Sequence, residues 1–418
     1  MRSELVIIAI VAVVMIAFVL VLLRRKESEK GDSHGNLTTE LRSLKRKYKA
    51  FVERRQDRFD VSAHTISENV AHYRSTNRRR ALYIVAIIAV IVVLSIFSVS
   101  RSTLSISFFQ AYDLIVKHIM GTPLDGYMEE LRTTIIFDYN MPRTLGAILV
   151  GASLAISGAV MQSITRNSLT DSYTIGISSA AMLGVTIGIV YDVCIIPVLS
   201  GDLAAIFNAF IFALIPSAAI IVISSFKKMS PTMMILIGIG IMYMFSAFST
   251  FIKFNADAED LQRIYEWGVG TLTDVHWPAI LPMVAGTVII SVLGMVLANR
   301  INVLGSGENM SLALGVKPVI TRIICFLGIS VATGICVCFT GTIGFVGLVA
   351  PHIARLFVGS DNKILIPTSA VLGALLILGS DVLVRMLPGG LPVGVITALI
   401  GSPIFLVILY RQRRNAAF

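Results

Sequence analysis

Few residues in this chain could do chemistry, and their spacing argues against most of it. The cysteines are Cys194, Cys325, Cys336 and Cys338. Cys336 and Cys338 sit one residue apart in an apolar run, on nearly opposite faces of a helix. They cannot share a metal as helix neighbours at i, i+3 or i, i+4 would, so the cysteines read as apolar packing. His352 follows Pro351 with no second histidine or carboxylate at ligand spacing. It reads as a buried, hydrogen-bonded histidine and not as a metal ligand. No G-x-x-x-x-G-K-[ST] phosphate loop occurs, so the chain has no means of its own to hold and split a nucleoside triphosphate. Ionisable residues at mid-span, which proton- or sodium-coupled carriers use, are nearly absent.

One short polar stretch stands apart from the apolar runs around it. Leu304 to Pro318 reads LGSGENMSLALGVKP. Glu308 falls in the first turn of a short helix, where a carboxylate suits the helix dipole. Gly315 suits the position just past its end, and Pro318 is a stop. A helix of about two turns would then stand between two long spans, with Met310, Leu312 and Leu314 apolar and no local core to cover them. An uncovered apolar helix face of this kind points to a partner.

The elements that carry these residues follow from composition. Of 418 residues, 55% are hydrophobic and 14% charged, with mean hydropathy +0.82. Soluble domains carry about 25% charged residues. A bilayer core about 30 Å thick takes about 20 apolar residues per helix, and such runs recur along the chain. Spans are expected near 81–100, 143–163, 173–191, 204–225, 232–252, 278–299, 320–339, 343–358, 364–384 and 393–410. The span at 343–358 is short and is expected inside the bundle. In the span near 143–163, Ala147, Gly151, Ala155 and Ala159 recur every fourth residue, a stripe that lets a neighbouring backbone come close. The reading is therefore an all-α polytopic membrane protein.

The formal charge of +10 would suggest nucleic acid in a soluble protein, but its distribution excludes that partner. Of the 35 Lys and Arg, 16 fall between residues 24 and 80, and most others flank apolar runs. If the helices alternate, Arg78–Arg80, Arg166, Lys227, Lys228, Arg300, Lys317, Arg322, Lys363, Arg411, Arg413 and Arg414 share one side. By the positive-inside rule that side is the cytoplasm, with the C-terminus on it. The run 5–23, stopped by Arg24, Arg25 and Lys26, reads as an uncleaved anchor over 1–23 with its N-terminus outside. Residues 24–80 read as a basic linker, with an amphipathic stripe at Leu37, Leu41, Leu44, Tyr48 and Phe51.

Four ordered stretches resemble a known family: MPRTLGAILVGASLAISGAVMQSITRNSLTDSYTIGISSAA (141–181), LGSGENMSLALGV (304–316), GTIGFVGLVAPHIARLFVGSD (341–361) and SDVLVRMLPGGLPVGVITALIGSPIFLVIL (380–409). They are similar to the FecCD/BtuC-like permeases, which import iron-siderophores, haem and vitamin B12 (cobalamin) through ABC systems. The resemblance covers about 80 to 412, assigned to the permease domain 81–412. It implies a type II ABC importer core of ten transmembrane helices, to which the N-terminal anchor adds one. It also implies a second permease copy, separate cytoplasmic ATPase subunits that use the ATP, and an extracellular or periplasmic substrate-binding protein. No cofactor is expected on this chain.

By the same resemblance, Gly307, Glu308, Asn309, Met310, Ser311, Leu312, Ala313, Leu314 and Gly315 match the coupling helix that docks on the ATPase. Arg143 and Arg385 match arginines that meet acidic residues on the binding protein. The plainer readings are a membrane-interface anchor for Arg143 and an i, i+4 pair with Asp381 for Arg385. Asn140 stands where some relatives carry another arginine. Pro231, Met234, Gly394 and Gly401 fall on helices that border the family's translocation path, where Met233, Met234, Met242 and Met244 would supply an adaptable apolar wall. The rival readings are an ion-coupled secondary transporter working without an ATPase, and a membrane receptor whose N-terminal segment signals.

Overall fold

The computed structural model describes residues 58–416 except 102–105, 125, 197, 227–229 and 388. The expected anchor (1–23), and the linker up to residue 57 with its apolar stripe, lie outside the described residues. Contacts divide the chain between Tyr83 and Ile84. The described part of the first unit is helical.

Among the described residues every regular element is helical: α1 (Arg58–Ser100), α2 (Phe108–Met120), α3 (Tyr127–Thr134), a π-helical turn (Ile135–Asn140), α4 (Met141–Thr165), a 3₁₀ turn (Ser172–Ile175), α5 (Ile177–Tyr191), α6 (Gly201–Phe226), α7 (Pro231–Lys253), α8 (Ala258–Val269), α9 (Trp277–Leu304), α10 (Glu308–Ala313), α11 (Pro318–Thr340), α12 (Val346–Val358), α13 (Asn362–Met386) and α14 (Val393–Ala416). Among the described residues, seven helical stretches are long and apolar enough to cross a bilayer, and α5, α12 and the apolar part of α14 are shorter. Each expected span coincides with one of these helices. The 13 residues of α12 rise about 20 Å, short of the bilayer core of about 30 Å. Most of α12 is buried in protein, as its length requires.

Helix α4 is the hub, packed against α9, α11, α12 and α13. Its small residues explain why. A Cβ added at Gly151 would collide with the backbone of Gly373 and Ala374 on α13, and one at Gly158 would collide with the backbone of Gly347 on α12. With no apolar solvent to expel between helices, such close backbone approach is what holds a membrane bundle together.

The chain breaks its helices only where protein can satisfy the freed backbone, as lipid demands. Before α5, the Asp171 carboxylate accepts from the Tyr173 and Thr174 amides at 3.1 and 3.0 Å. There the sequence anticipates a helix from about 173, but a 3₁₀ turn intervenes. Gly176 is left-handed at φ 92°, and α5 starts only at Ile177. This turn lies against Gly238 of α7, where a Cβ would strike the Ile175 backbone. Before α12, the Tyr173 hydroxyl accepts from the Ile343 amide at 3.2 Å. The Thr342 hydroxyl donates to the Gly268 carbonyl at 2.5 Å, and the Thr271 amide to the Thr340 carbonyl at 2.8 Å.

We expect Gly151→Val to force α4 and α13 apart and destabilise the fold by about 3 kcal/mol or more, since overpacking against backbone has no flexible side chain to yield. Gly240→Ala is the control, as nothing lies within 4 Å of a Cβ there. Thermal unfolding of the purified protein, followed by size-exclusion, checks the pair: a Gly151→Val midpoint equal to that of Gly240→Ala would refute the close contact.

Candidate functional site

One end of the bundle gathers Arg166, Arg300, Lys317, Arg322 and Lys363 and is called the basic end. There the chain leaves α9 at Leu304 and forms the six-residue α10. Gly307 at φ 111° and Gly315 at φ 76° bracket it, and Gly315, expected from sequence just past the helix end, sits where the backbone needs a positive φ. The Ser311 hydroxyl is buried within reach of the Gly307 and Val303 carbonyls, at 2.6 and 3.0 Å. Met310, Leu312 and Leu314 point the other way, 53%, 59% and 61% exposed, and Asn309 and Ala313 are exposed as well. Polar contacts thus hold α10 from beneath while its apolar residues stay uncovered.

Beneath α10 lies a residue that sequence spacing identified only as one flanking charge among many. Arg322, fully buried on α11, donates through Nη1 to Glu308 Oε1 at 2.8 Å and through Nε to the Ile164 carbonyl at 3.2 Å. That carbonyl belongs to the last turn of α4, where carbonyls lack helical partners. The two preceding residues are tied as well. The Gln162 amide donates to the Gly347 carbonyl at 3.1 Å and its oxygen accepts from Arg355. The Ser163 hydroxyl donates to Asn362 Oδ1 at 2.8 Å, and Asn362 in turn donates to Asn302 Oδ1 at 2.7 Å. Three consecutive residues of α4 are therefore fastened to α11, α12 and α13. No local signal announces this, because the partners lie 14 to 199 residues apart.

At the opposite end, Arg143 and Arg385 converge on Asp381. Arg143 Nε and Nη2 lie 2.8 and 2.7 Å from Oδ1, and Arg385 Nε lies 2.8 Å from Oδ2. The carboxylate is fully buried, and the arginines are 16% and 5% exposed. Arg385 also donates to the Ser98 carbonyl at 3.0 Å and to Thr144 Oγ1 at 3.3 Å, capping the last turn of α1. Asn140 donates to the Val99 carbonyl at 3.0 Å. The expectation of two outward-reaching docking arginines needs correction in this respect: both are engaged inward. The i, i+4 pair with Asp381 is present for Arg385, and Arg143 joins it from 238 residues away. Nearby on α2, Lys117 bonds Glu129 of α3 and Asp113. Those hydrogen bonds, Glu129 first, raise its ammonium above the ordinary lysine range.

The residues expected along a translocation path separate. Pro231 opens α7 at its first helical position. Met234 is fully buried in the main core with Ile175 and Phe326, so placing it on an open wall was wrong in helix phase. The exposed face of α7 carries Met233, Leu236, Tyr243, Met244, Phe248 and Phe251 instead. Gly394 packs against the Val269 carbonyl at the end of α8, and Gly401 against Phe345 before α12; both make room for neighbours. Cys325 and Cys338 lie in the main core, and His352 is buried.

The profile of the FecCD transport family matches residues 78–411. The chain belongs to the FecCD transport family. It is 36% identical over 335 residues to an iron chelatin transport system permease protein of Helicobacter pylori, covering 79% of this chain and 98% of that one. It is 32% identical over 333 residues to a hemin transport system permease protein of Yersinia pestis, covering 79% and 95%. Among solved structures it is similar to an inward-facing transporter assigned to the metal-chelate ABC type, with TM-score 0.68 and 27% identity over 79% of this chain and 99% of that one. The FecCD match spans both ends described above, from Asn140 and Arg143 to Arg385 and from Ile164 to Arg322.

We expect Asp381→Asn to leave two buried guanidinium groups without a counter-charge and to destabilise the fold by about 3–5 kcal/mol. A thermal midpoint unchanged from wild type, measured at neutral pH in nanodiscs, would contradict the buried triad.

Proposed function

We propose that this FecCD-family chain is the membrane permease of an ATP-driven importer, and that α10 is the surface on which its ABC ATPase subunits dock. The observation carrying this reading is the short helix at the basic end, pinned from beneath through Ser311 and Glu308 while Met310, Leu312 and Leu314 are bare. The basic end faces the cytoplasm by the positive-inside rule, which is where ATP is. Iron-siderophore, haem or cobalamin-type compounds are the cargo.

A second copy of the permease would cover part of the exposed α7 face and complete the path, with Met233 and Met244 on its wall in place of Met234. A substrate-binding protein would dock at the far end. Of the two arginines there, Arg143 is the more exposed, at 16% against 5% for Arg385, and is the one we place on the docking surface.

The test is co-purification followed by uptake. Wild-type permease should hold its ATPase in stoichiometric amount, and proteoliposomes should take up ferric hydroxamate, haemin or cobalamin only with ATP. Met310→Glu/Leu312→Glu should weaken ATPase binding by about tenfold or more, since central apolar anchors carry about 2 kcal/mol or more each. Uptake driven by an ion gradient without any ATPase would overturn the reading. At the far end, Arg143→Glu should slow association of the binding protein, most strongly at low salt. Equal association rates for wild type and variant at low ionic strength would remove Arg143 from the docking surface.

A further inference from the structure

Arg322 occupies the point where α10, α11 and α4 meet. Among the described residues, the polar tie from α10 to anything beyond the end of α9 is Glu308 to Arg322. The same guanidinium reaches the Ile164 carbonyl of α4. Its third nitrogen, Nη2, is buried without a hydrogen-bond partner. We propose that Arg322 is a positioning residue that passes movement of α10 to the basic end of α4, and so links the ATPase to the hub of the bundle. The proposal rests on the reading of α10 as the ATPase docking surface.

The geometry supports transmission for three reasons. Arg322 is fully buried while Glu308 is 44% exposed, so one partner is fixed in the bundle and the other rides on the docking helix. The guanidinium is planar and rigid, and one end cannot be displaced without turning the other. On the α4 side, the tied carbonyl is followed back along the helix by Ser163 and Gln162, which are bonded into α13 and α12. A shift of Ile164 is therefore delivered to the helices that line up on α4 and not dissipated in a free end. A purely structural role, capping the α4 C-terminus, would need the Ile164 contact but not Glu308.

A double-mutant cycle separates the two roles. The permease with its ABC ATPase is reconstituted in nanodiscs, with spin labels on Leu169→Cys beyond α4 and Arg300→Cys on α9. The label separation is measured with and without ATP. ATPase binding is measured for Glu308→Ala, Arg322→Met and the double variant, and the label response of each is compared at saturating ATPase. Each single variant should lose at least about half of the ATP-dependent change in separation, and the double should be no worse than the worse single, because both lie on one path. Singles that respond like wild type, or a double whose remaining response is the product of the two singles' remaining responses, would overturn the proposal. If Arg322→Met does not fold, Glu308→Ala decides alone, and a full ATP response from it refutes the link. A wild-type chain that binds no ATPase would instead sink the importer reading itself.

Discussion

The backbone of α4 lies so close to that of α13 that neither Gly151 nor Gly373 has room for a Cβ. The rest of the bundle is arranged around this constraint. Because α4 is small-sided on more than one face, α12 can approach at Gly158 and Gly347, with α9 and α11 on the remaining sides. Helices packed at backbone distance cannot slide without collision, so α4 behaves as a rigid rod whose two ends are the natural places to hold it or to move it.

Both ends are held by charge, in different ways. At the far end two arginines share one buried carboxylate, and the spare hydrogen bonds of Arg385 close the end of α1. A buried cluster of this kind costs desolvation and adds little net stability, yet losing one member would be severe. It fixes which helices meet there. At the basic end the tie is partly open. Arg322 is buried, but its partner Glu308 belongs to a six-residue helix at the surface. One end is closed by a fully buried carboxylate, and the other by a carboxylate that is 44% exposed.

The shorter helices show the same logic in the backbone. Chain that departs from the α-helix at 166–176 and 341–345 would be intolerable against lipid. It persists because Asp171, Tyr173, Thr342 and neighbouring carbonyls take up the free groups. The breaks shorten α5 and α12 and let them sit inside protein, which leaves the long α7 and α9 with exposed apolar faces.

Much of this was legible in the sequence alone. Apolar runs marked the helices, because a bilayer sets their length. Gly315 and Pro318 marked the end of the short helix α10, because turn chemistry is local. The Ala147–Gly151–Ala155–Ala159 spacing announced close packing, because small residues every fourth position share a face. Other features waited for tertiary structure. A helix such as α7, whose few polar residues do not gather on one face of its N-terminal half, gives little to set its rotation, so its sequence could not show that Met234 turns inward while Met233 and Met244 turn out. Arg143 and Asp381, 238 residues apart, and Arg322 and Ile164, 158 apart, have no periodicity to connect them. The sequence by itself determined the membrane class and the helices, since each depends on a local pattern; only the folded chain decided which charges meet and which faces stay open, since these depend on contacts between helices far apart in sequence.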